Sequence, residues 1–267
     1  MSRYETTFAQ LKERNEIAFI PFAVSGDPDP RTGESVLQTY VEAGADILEI
    51  GYPFSDPMAD GPVNQRASQR AIASGLTPTR FFAMIGRLRS RTDIPIGLLL
   101  YANTVHHAGY ERFCSRAADA GIDSILVADL PPEEAGPWLE TLQKNGLCSV
   151  FIVSELTSKD RIRYICANTT GFVYVVSRLG TTGEQKDLSA NLAPTLMRLR
   201  RQTSLPLCVG FGLSRPEHIS AVKKAGADGA IVGSALVRQV ESHRNDPERM
   251  LATIRRRVRN YKRATRG

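Results

Sequence analysis

Short apolar runs alternate with segments of helical periodicity along the whole chain. Eight runs read as strands: 17–24 (IAFIPFAV), 46–50 (DILEI), 95–101 (PIGLLLY), 123–128 (DSILVA), 149–153 (SVFIV), 171–177 (GFVYVVS), 206–210 (PLCVG) and 228–232 (DGAIV). They are rich in Ile, Val and Leu and mostly lack apolar/polar alternation, the pattern of parallel strands covered on both faces. Between them, helical spacing predicts helices over 77–90, 111–120, 133–144 and 216–224. Thr77-Pro78 supplies an N-cap followed by proline at the first helical position. The tetrapeptide AGAD at 43–46 recurs as AGID at 120–123 and AGAD at 225–228. In each, a glycine ends a helix and a strand starts at once. Tyr4, Phe8 and Leu11 fall at i, i+4 and i+7. They predict an extra N-terminal helix placed to plug the N-terminal mouth of a barrel. Eight strand–helix units in 267 residues predict an α/β fold, a (β/α)8 TIM barrel occupying 1–267 as a single domain. A doubly wound open sheet is the competing arrangement, and the absence of GxGxxG after the first strand counts against it.

Charge changes little in this picture once it is located. The chain carries 34 Lys and Arg against 28 Asp and Glu, a net +6 that first suggests an anionic partner. Residues 251–267 contain no acid and hold Arg255, Arg256, Arg257, Arg259, Lys262, Arg263 and Arg266. Removing those seven leaves 27 basic residues against the 28 acidic, so the rest of the chain is near neutral. Leu251, Ile254, Val258 and Tyr261 recur beneath the arginines at helical spacing. The segment reads as a final amphipathic helix with a basic solvated face, not as a nucleic-acid or membrane-binding surface. No run of about 18 apolar residues predicts a membrane span, and the first residues lack the apolar stretch of a secretory leader. Cys114, Cys148, Cys166 and Cys208 are too scattered for a zinc site or a CxxC pair, and read as free thiols in a reducing, cytoplasmic setting.

In the predicted fold, chemistry belongs where strands end and loops begin. Glu49 sits at the end of the second strand among Ile47, Leu48 and Ile50. A carboxylate there is costly unless paired or neutral, and desolvation raises its pKa into a range useful for acid–base work. The alternative is a structural Glu paired with a buried Arg or Lys. The following loop, 52–62 (YPFSDPMADGP), holds Asp56 and Asp60. Either is a candidate for the same mouth, and either is equally a turn-forming residue. Gly210 and Gly212 follow the seventh strand, and Gly233 and Ser234 follow the eighth. Exposed backbone N–H groups and a helix N-terminus at these two loops make a phosphate site, against the alternative of glycines for tight turns. The long polar loop 177–192, with Gly180 and Gly183, reads as a lid. His106 and His107 lack ligand spacing to any Cys or acid, and His218 and His243 read as helix-surface residues.

These residues carry a resemblance. LEIGYPFSDPMADGP resembles the signature of the tryptophan synthase alpha chain family, and the likeness continues through nearly the whole chain. PFAVSGDPD at 21–29 is similar to its first loop, and LLLYANTV at 98–105, ILVADLPPEE at 125–134, YVVSRLGTTG at 174–183, GFGLSRPE at 210–217 and IVGSALV at 231–237 are similar to its later loop segments, in the same order and approximate spacing. The resemblance implies retro-aldol cleavage of indole-3-glycerol phosphate to indole and glyceraldehyde 3-phosphate. It implies Glu49 as acid and base, and Asp60 facing the indole N–H. Tyr174 and Thr182 match substrate-contact and lid positions. Gly183, Gly212, Gly233 and Ser234 match phosphate contacts, and Phe22, Leu99 and Phe211 match apolar walls around the indole. It implies no cofactor or metal in this chain. The partner it implies is a pyridoxal-phosphate-dependent beta chain that receives the indole within an alpha2-beta2 heterotetramer. A free-standing lyase, a low-activity allosteric partner of a beta chain and a different phosphate-binding barrel remain the alternatives. Three positions depart from the family pattern: Val24 for a threonine, Tyr52 for a smaller apolar residue and Thr181 for a valine.

Overall fold

The computed structural model describes residues 1–176 and 191–266. The first half runs α1 (Arg3–Glu13), β1 (Ala18–Val24), α2 (Pro30–Glu42), β2 (Leu48–Gly51), α3 (Pro62–Ala73), α4 (Pro78–Arg89), β3 (Ile96–Leu100), α5 (Ala102–Ala108), α6 (Tyr110–Ala120) and β4 (Ser124–Val127). The second runs α7 (Gly136–Lys144), β5 (Cys148–Ser149), β6 (Phe151–Val153), α8 (Lys159–Ala167), β7 (Val173–Val176), α9 (Leu192–Arg200), β8 (Leu207–Gly210), α10 (Pro216–Lys224), β9 (Gly229–Val232), α11 (Ser234–Ser242) and α12 (Pro247–Ala264). Every strand pairing is parallel, in the order β5-β4-β3-β2-β1-β9-β8-β7-β6. β5 and β6 are two halves of the stave read as 149–153, interrupted at Val150. Joined through that residue, the row becomes a (β/α)8 barrel. The helices over 77–90, 111–120 and 216–224 fall where their spacing puts them. The one over 133–144 starts three residues later, because Glu133 and Glu134 lie in turns.

The side chains explain why the strands do not alternate in hydrophobicity. Leu48 and Ile50 pack outward with the helices, in company with Ile96, Leu98, Val173, Val175, Leu207 and Val209. Ile47, Leu126, Tyr174, Cys208 and Ile231 point inward and form a second cluster. The period of two therefore survives in direction while both faces stay apolar. Glu49 takes an inward position, one residue out of phase with Leu48 and Ile50.

α1 closes the N-terminal mouth as its spacing predicts. Tyr4 and Leu11 are buried in the inner cluster and Phe8 packs on its edge. The Tyr4 hydroxyl shares a 2.7 Å hydrogen bond with Ser124 Oγ inside the barrel. Gly97 leaves room for this contact, since a Cβ there would lie 3.0 Å from both oxygens.

The recurring tetrapeptide does more than end helices. Gly44, Gly121 and Gly226 all have left-handed backbone (φ +104°, +87° and +95°), the conformation glycine adopts without strain. The aspartate two residues on then performs one task three times. Asp46, Asp123 and Asp228 accept hydrogen bonds of 2.8 Å from the backbone N–H of Phe19, Ile96 and Leu207, at the start of the neighbouring strand. Each also pairs with a cation: Lys262, Arg89 and Arg200 respectively.

Lys262 corrects the reading of the last helix. α12 is amphipathic, with Met250, Ile254, Val258 and Tyr261 buried, but its basic residues are not all solvated. Lys262 Nζ lies 2.7 Å from Glu16 and 2.9 Å from Asp46 with little solvent contact, Arg255 pairs with Glu42, and Arg266 with Glu16. The positive charge thus partly serves to bind α12 to the β1 and β2 entrances. Lys262→Met removes the cation between two largely buried carboxylates and is expected to cost about 3 kcal/mol, measured as a shift in the denaturant midpoint. Among the described residues, no helix is long and apolar enough to cross a membrane.

Candidate active site

Glu49 is the second residue of β2, paired in register with Phe22 on β1 and Gly97 on β3. It is 5% exposed, and none of the ion pairs among the described residues involves it. The structural alternative, a buried Arg or Lys partner, is therefore not what holds it. Burial, and secondarily the charge of Asp60, push its carboxyl up to about 8. At neutral pH it is largely protonated.

The two aspartates of the 52–62 loop separate. Asp56 turns outward and accepts a hydrogen bond from Ser55 Oγ. Asp60 turns inward, where Tyr101 Oη donates to its Oδ2 at 3.0 Å and Asn64 Nδ2 donates to its Oδ1 at 3.1 Å. Tyr101 also accepts from the Ala59 N–H, and its ring stacks on Phe54 at 5.0 Å. Burial raises the Asp60 carboxyl above its ordinary value, while the bonds from Asn64 and Tyr101 oppose that rise.

One pocket collects these groups. It is lined by Phe22, Glu49, Asp60, Asn64, Leu99, Tyr174, Phe211, Gly212, Leu213, Ile231, Gly233 and Ser234. The sequence-predicted residues Phe22, Leu99, Tyr174, Phe211, Gly212, Gly233 and Ser234 thus share one mouth with both carboxylates. Thr182 and Gly183, with Thr181 and nearly all of the 177–192 lid, lie outside the described residues. Tyr174 packs edge-on against Phe211 at 5.9 Å, and this requires Gly210, whose Cβ would collide with the Tyr174 hydroxyl. Phe211 and Gly212 both have positive φ (+68° and +83°), so the β8 loop turns sharply over the pocket. α11 begins at Gly233–Ser234 with no side-chain cap. Gly233 and Ser234 line the same pocket as Gly212 of the loop after β8, so a helix start and a glycine loop share one wall, a combination suited to a phosphate.

Three residues of this pocket escaped sequence reading. Leu213 and Ile231 are apolar wall, indistinguishable in sequence from core. Asn64 had a signal: it lies four residues after Asp60, in the first turn of a helix opened by Pro62, so the two side chains meet. His218 is also corrected. It is buried, not on the surface, because it folds back to accept the Ser214 N–H and meets Arg215.

The profile of the family described as tryptophan synthase alpha chain matches residues 8–266. The chain belongs to the tryptophan synthase alpha chain family. A tryptophan synthase alpha chain of Escherichia fergusonii is 43% identical over 268 residues, covering all of both chains. The crystal structure of tryptophan synthase subunit alpha from Legionella pneumophila superposes with a TM-score of 0.89 at 34% identity, over 99% of this chain and 98% of that one. The tryptophan synthase complex from Pyrococcus furiosus superposes with a TM-score of 0.83 at 32% identity, over 92% and 98%. Two departures from the tryptophan synthase alpha chain pattern now have a place. Val24 is buried against Val63, Ala67 and Val237, outside the pocket. Tyr52 points away from Glu49 and packs edge-on against Phe81 and Phe113, in an outer cleft beside α4 and α6. Neither alters the pocket wall.

Proposed function

We propose that Glu49 and Asp60 carry the family's cleavage of indole-3-glycerol phosphate to indole and glyceraldehyde 3-phosphate. The observation that carries this reading is a buried carboxyl with no cation beside it, lining one pocket with a second carboxyl group held by two donors. Protonated Glu49 gives its proton to the ring carbon bearing the side chain. The positive charge that develops on the indole nitrogen is stabilised by ionised Asp60. The Glu49 carboxylate then takes the proton of the adjacent side-chain hydroxyl. The carbon–carbon bond breaks, the aldehyde forms, and the electron pair returns to the ring as indole. One residue moves the proton from hydroxyl to carbon, so the step balances without an external acid.

Phe22, Leu99, Phe211 and Tyr174 form the walls for the indole, and Gly212, Gly233 and Ser234 the phosphate end. Thr182 and Gly183 are assigned to closure and phosphate contact on the family resemblance. Ser234→Ala removes one hydroxyl from the phosphate end and is expected to raise KM about tenfold with kcat nearly unchanged. Steady-state kinetics on both constants check this.

The whole of 1–267 serves as one barrel domain of a cytoplasmic enzyme whose four cysteines are free. Its partner is a tryptophan synthase beta chain. Loop 53–60 supports this: its Met58 is a large apolar side chain left 85% exposed while Asp60 lines the pocket. Purified chain with indole-3-glycerol phosphate should release indole slowly, and addition of a beta chain should accelerate release. Full activity without a beta chain would favour a free-standing lyase. No indole under either condition, with tight beta-chain binding, would favour an allosteric partner.

A further inference from the structure

Two helices open on the pocket, and each brings one end of it. α3 starts at Pro62, two residues after Asp60, and Gln65 near its start donates to the Asp60 carbonyl at 2.9 Å. α11 starts at Ser234, the proposed phosphate end. One apolar seam of Phe22, Val24, Val63, Ala67, Ala71 and Val237 joins β1, α3 and α11, and its two alanines are fully buried.

Charge fastens the same two helices farther along. Arg66 and Arg70 stand four residues apart, one turn along a single face of α3. Arg66 Nε and Nη2 donate to Glu241 Oε1 and Oε2 at 2.7 and 2.9 Å, and Arg70 Nη1 adds a third bond to Oε1 at 3.0 Å. Glu241 lies in the last turn of α11. The other two nitrogens of Arg70 fork onto Asp27, buried in the loop after β1, at 2.7 and 3.0 Å. The bonds from Arg66 hold the Glu241 carboxyl down at about 2, so it is ionised at neutral pH. The network therefore ties α11 to α3, and both to the barrel wall. Bidentate arginine–carboxylate forks fix orientation as well as distance. We propose that Glu241 is a positioning residue: gripped by Arg66 and Arg70, it sets the span between the phosphate end at Ser234 and the indole end at Asp60. It lies a helix length from the substrate and acts through α11. This rests on the reading that the pocket takes an indolyl phosphate ester, whose three-carbon chain must match that span.

Two esters measure the span: 3-(indol-3-yl)propyl phosphate and 2-(indol-3-yl)ethyl phosphate, one methylene shorter. A linked ligand loses affinity when its linker fits the distance between two sites poorly. Calorimetry on the full chain is therefore expected to show wild type binding the propyl ester about tenfold more tightly. In Glu241→Ala the span is no longer fixed, and the preference is expected to fall below about threefold. Glu241→Gln keeps an acceptor for the arginines and should fall between, and it carries the test if the alanine variant folds poorly. Neither change strands a buried cation, since Arg66 is half exposed and Arg70 keeps Asp27. A role in stability alone would weaken both esters in proportion and leave their ratio intact. Equal binding of both esters by wild type, or an undiminished preference in the variants, overturns the inference alone. Failure of wild type to bind either ester overturns the proposed function and this inference with it.

Discussion

Glu49→Gln is expected to lower kcat by about three orders of magnitude while leaving the affinity for substrate close to that of wild type. The amide preserves the size of the side chain and its place between Phe22 and Gly97 in the register, so the pocket keeps its shape. What it loses is the proton. Retained turnover in this variant would remove Glu49 from the acid/base role. The wild-type pH profile carries the same information. The step begins from protonated Glu49, whose carboxyl burial pushes up to about 8, so kcat/KM should fall as pH rises through that region. Stability should follow with a defined sign. The folded-state value lies above the ordinary 4.5 of an exposed Glu. Its contribution is therefore fully present below about pH 4.5 and is lost as pH rises through about 8. Gln carries no such burden, so the variant should be the more stable protein above pH 8, by a few kcal/mol at most. Thermal melts of both proteins from pH 5 to 9 read this difference directly.

Glu49 was visible in the sequence because the chemistry and the pattern disagree there. A carboxylate inside DILEI has no place in a core, and the fold confirms an inward position facing a pocket. The glycines after β8 and β9 were visible because they recur at the ends of the two closing strands, and the fold brings Gly212 and Gly233 to one pocket. Asp60 was only half visible. Asp56 and Asp60 share one proline-rich loop and identical turn chemistry, and what separates them is Tyr101, 41 residues further on, and Asn64. That pairing is tertiary and leaves no local trace. The break at Val150 and the burial of His218 were likewise beyond a periodicity argument. The first depends on where two strands diverge, the second on a side chain folding back over its own helix start. The tetrapeptide repeat marked the helix ends, but the hydrogen bond each aspartate makes to the next strand needed the closed barrel.

The second large effect falls on Asp60. Asp60→Asn is close to the same shape, and both its neighbours can tolerate it, because Tyr101 Oη can donate or accept and Asn64 Nδ2 can still find an amide oxygen. The charge alone disappears. If Asp60 acts on the cation that develops on the ring nitrogen, kcat should fall about 10²–10³-fold with little change in KM, since the interaction is made mainly in the transition state. The pH profile makes the prediction specific. Wild type needs ionised Asp60 and protonated Glu49 together, so its profile should be bell-shaped, with the acid limb set by Asp60. In Asp60→Asn the acid limb should vanish. The basic limb should also move to lower pH, because the negative charge of Asp60 is one of the two causes that raise Glu49, and burial alone then remains. A variant that loses activity but keeps both limbs where wild type has them would mean that Asp60 matters for the shape of the loop and not for its charge.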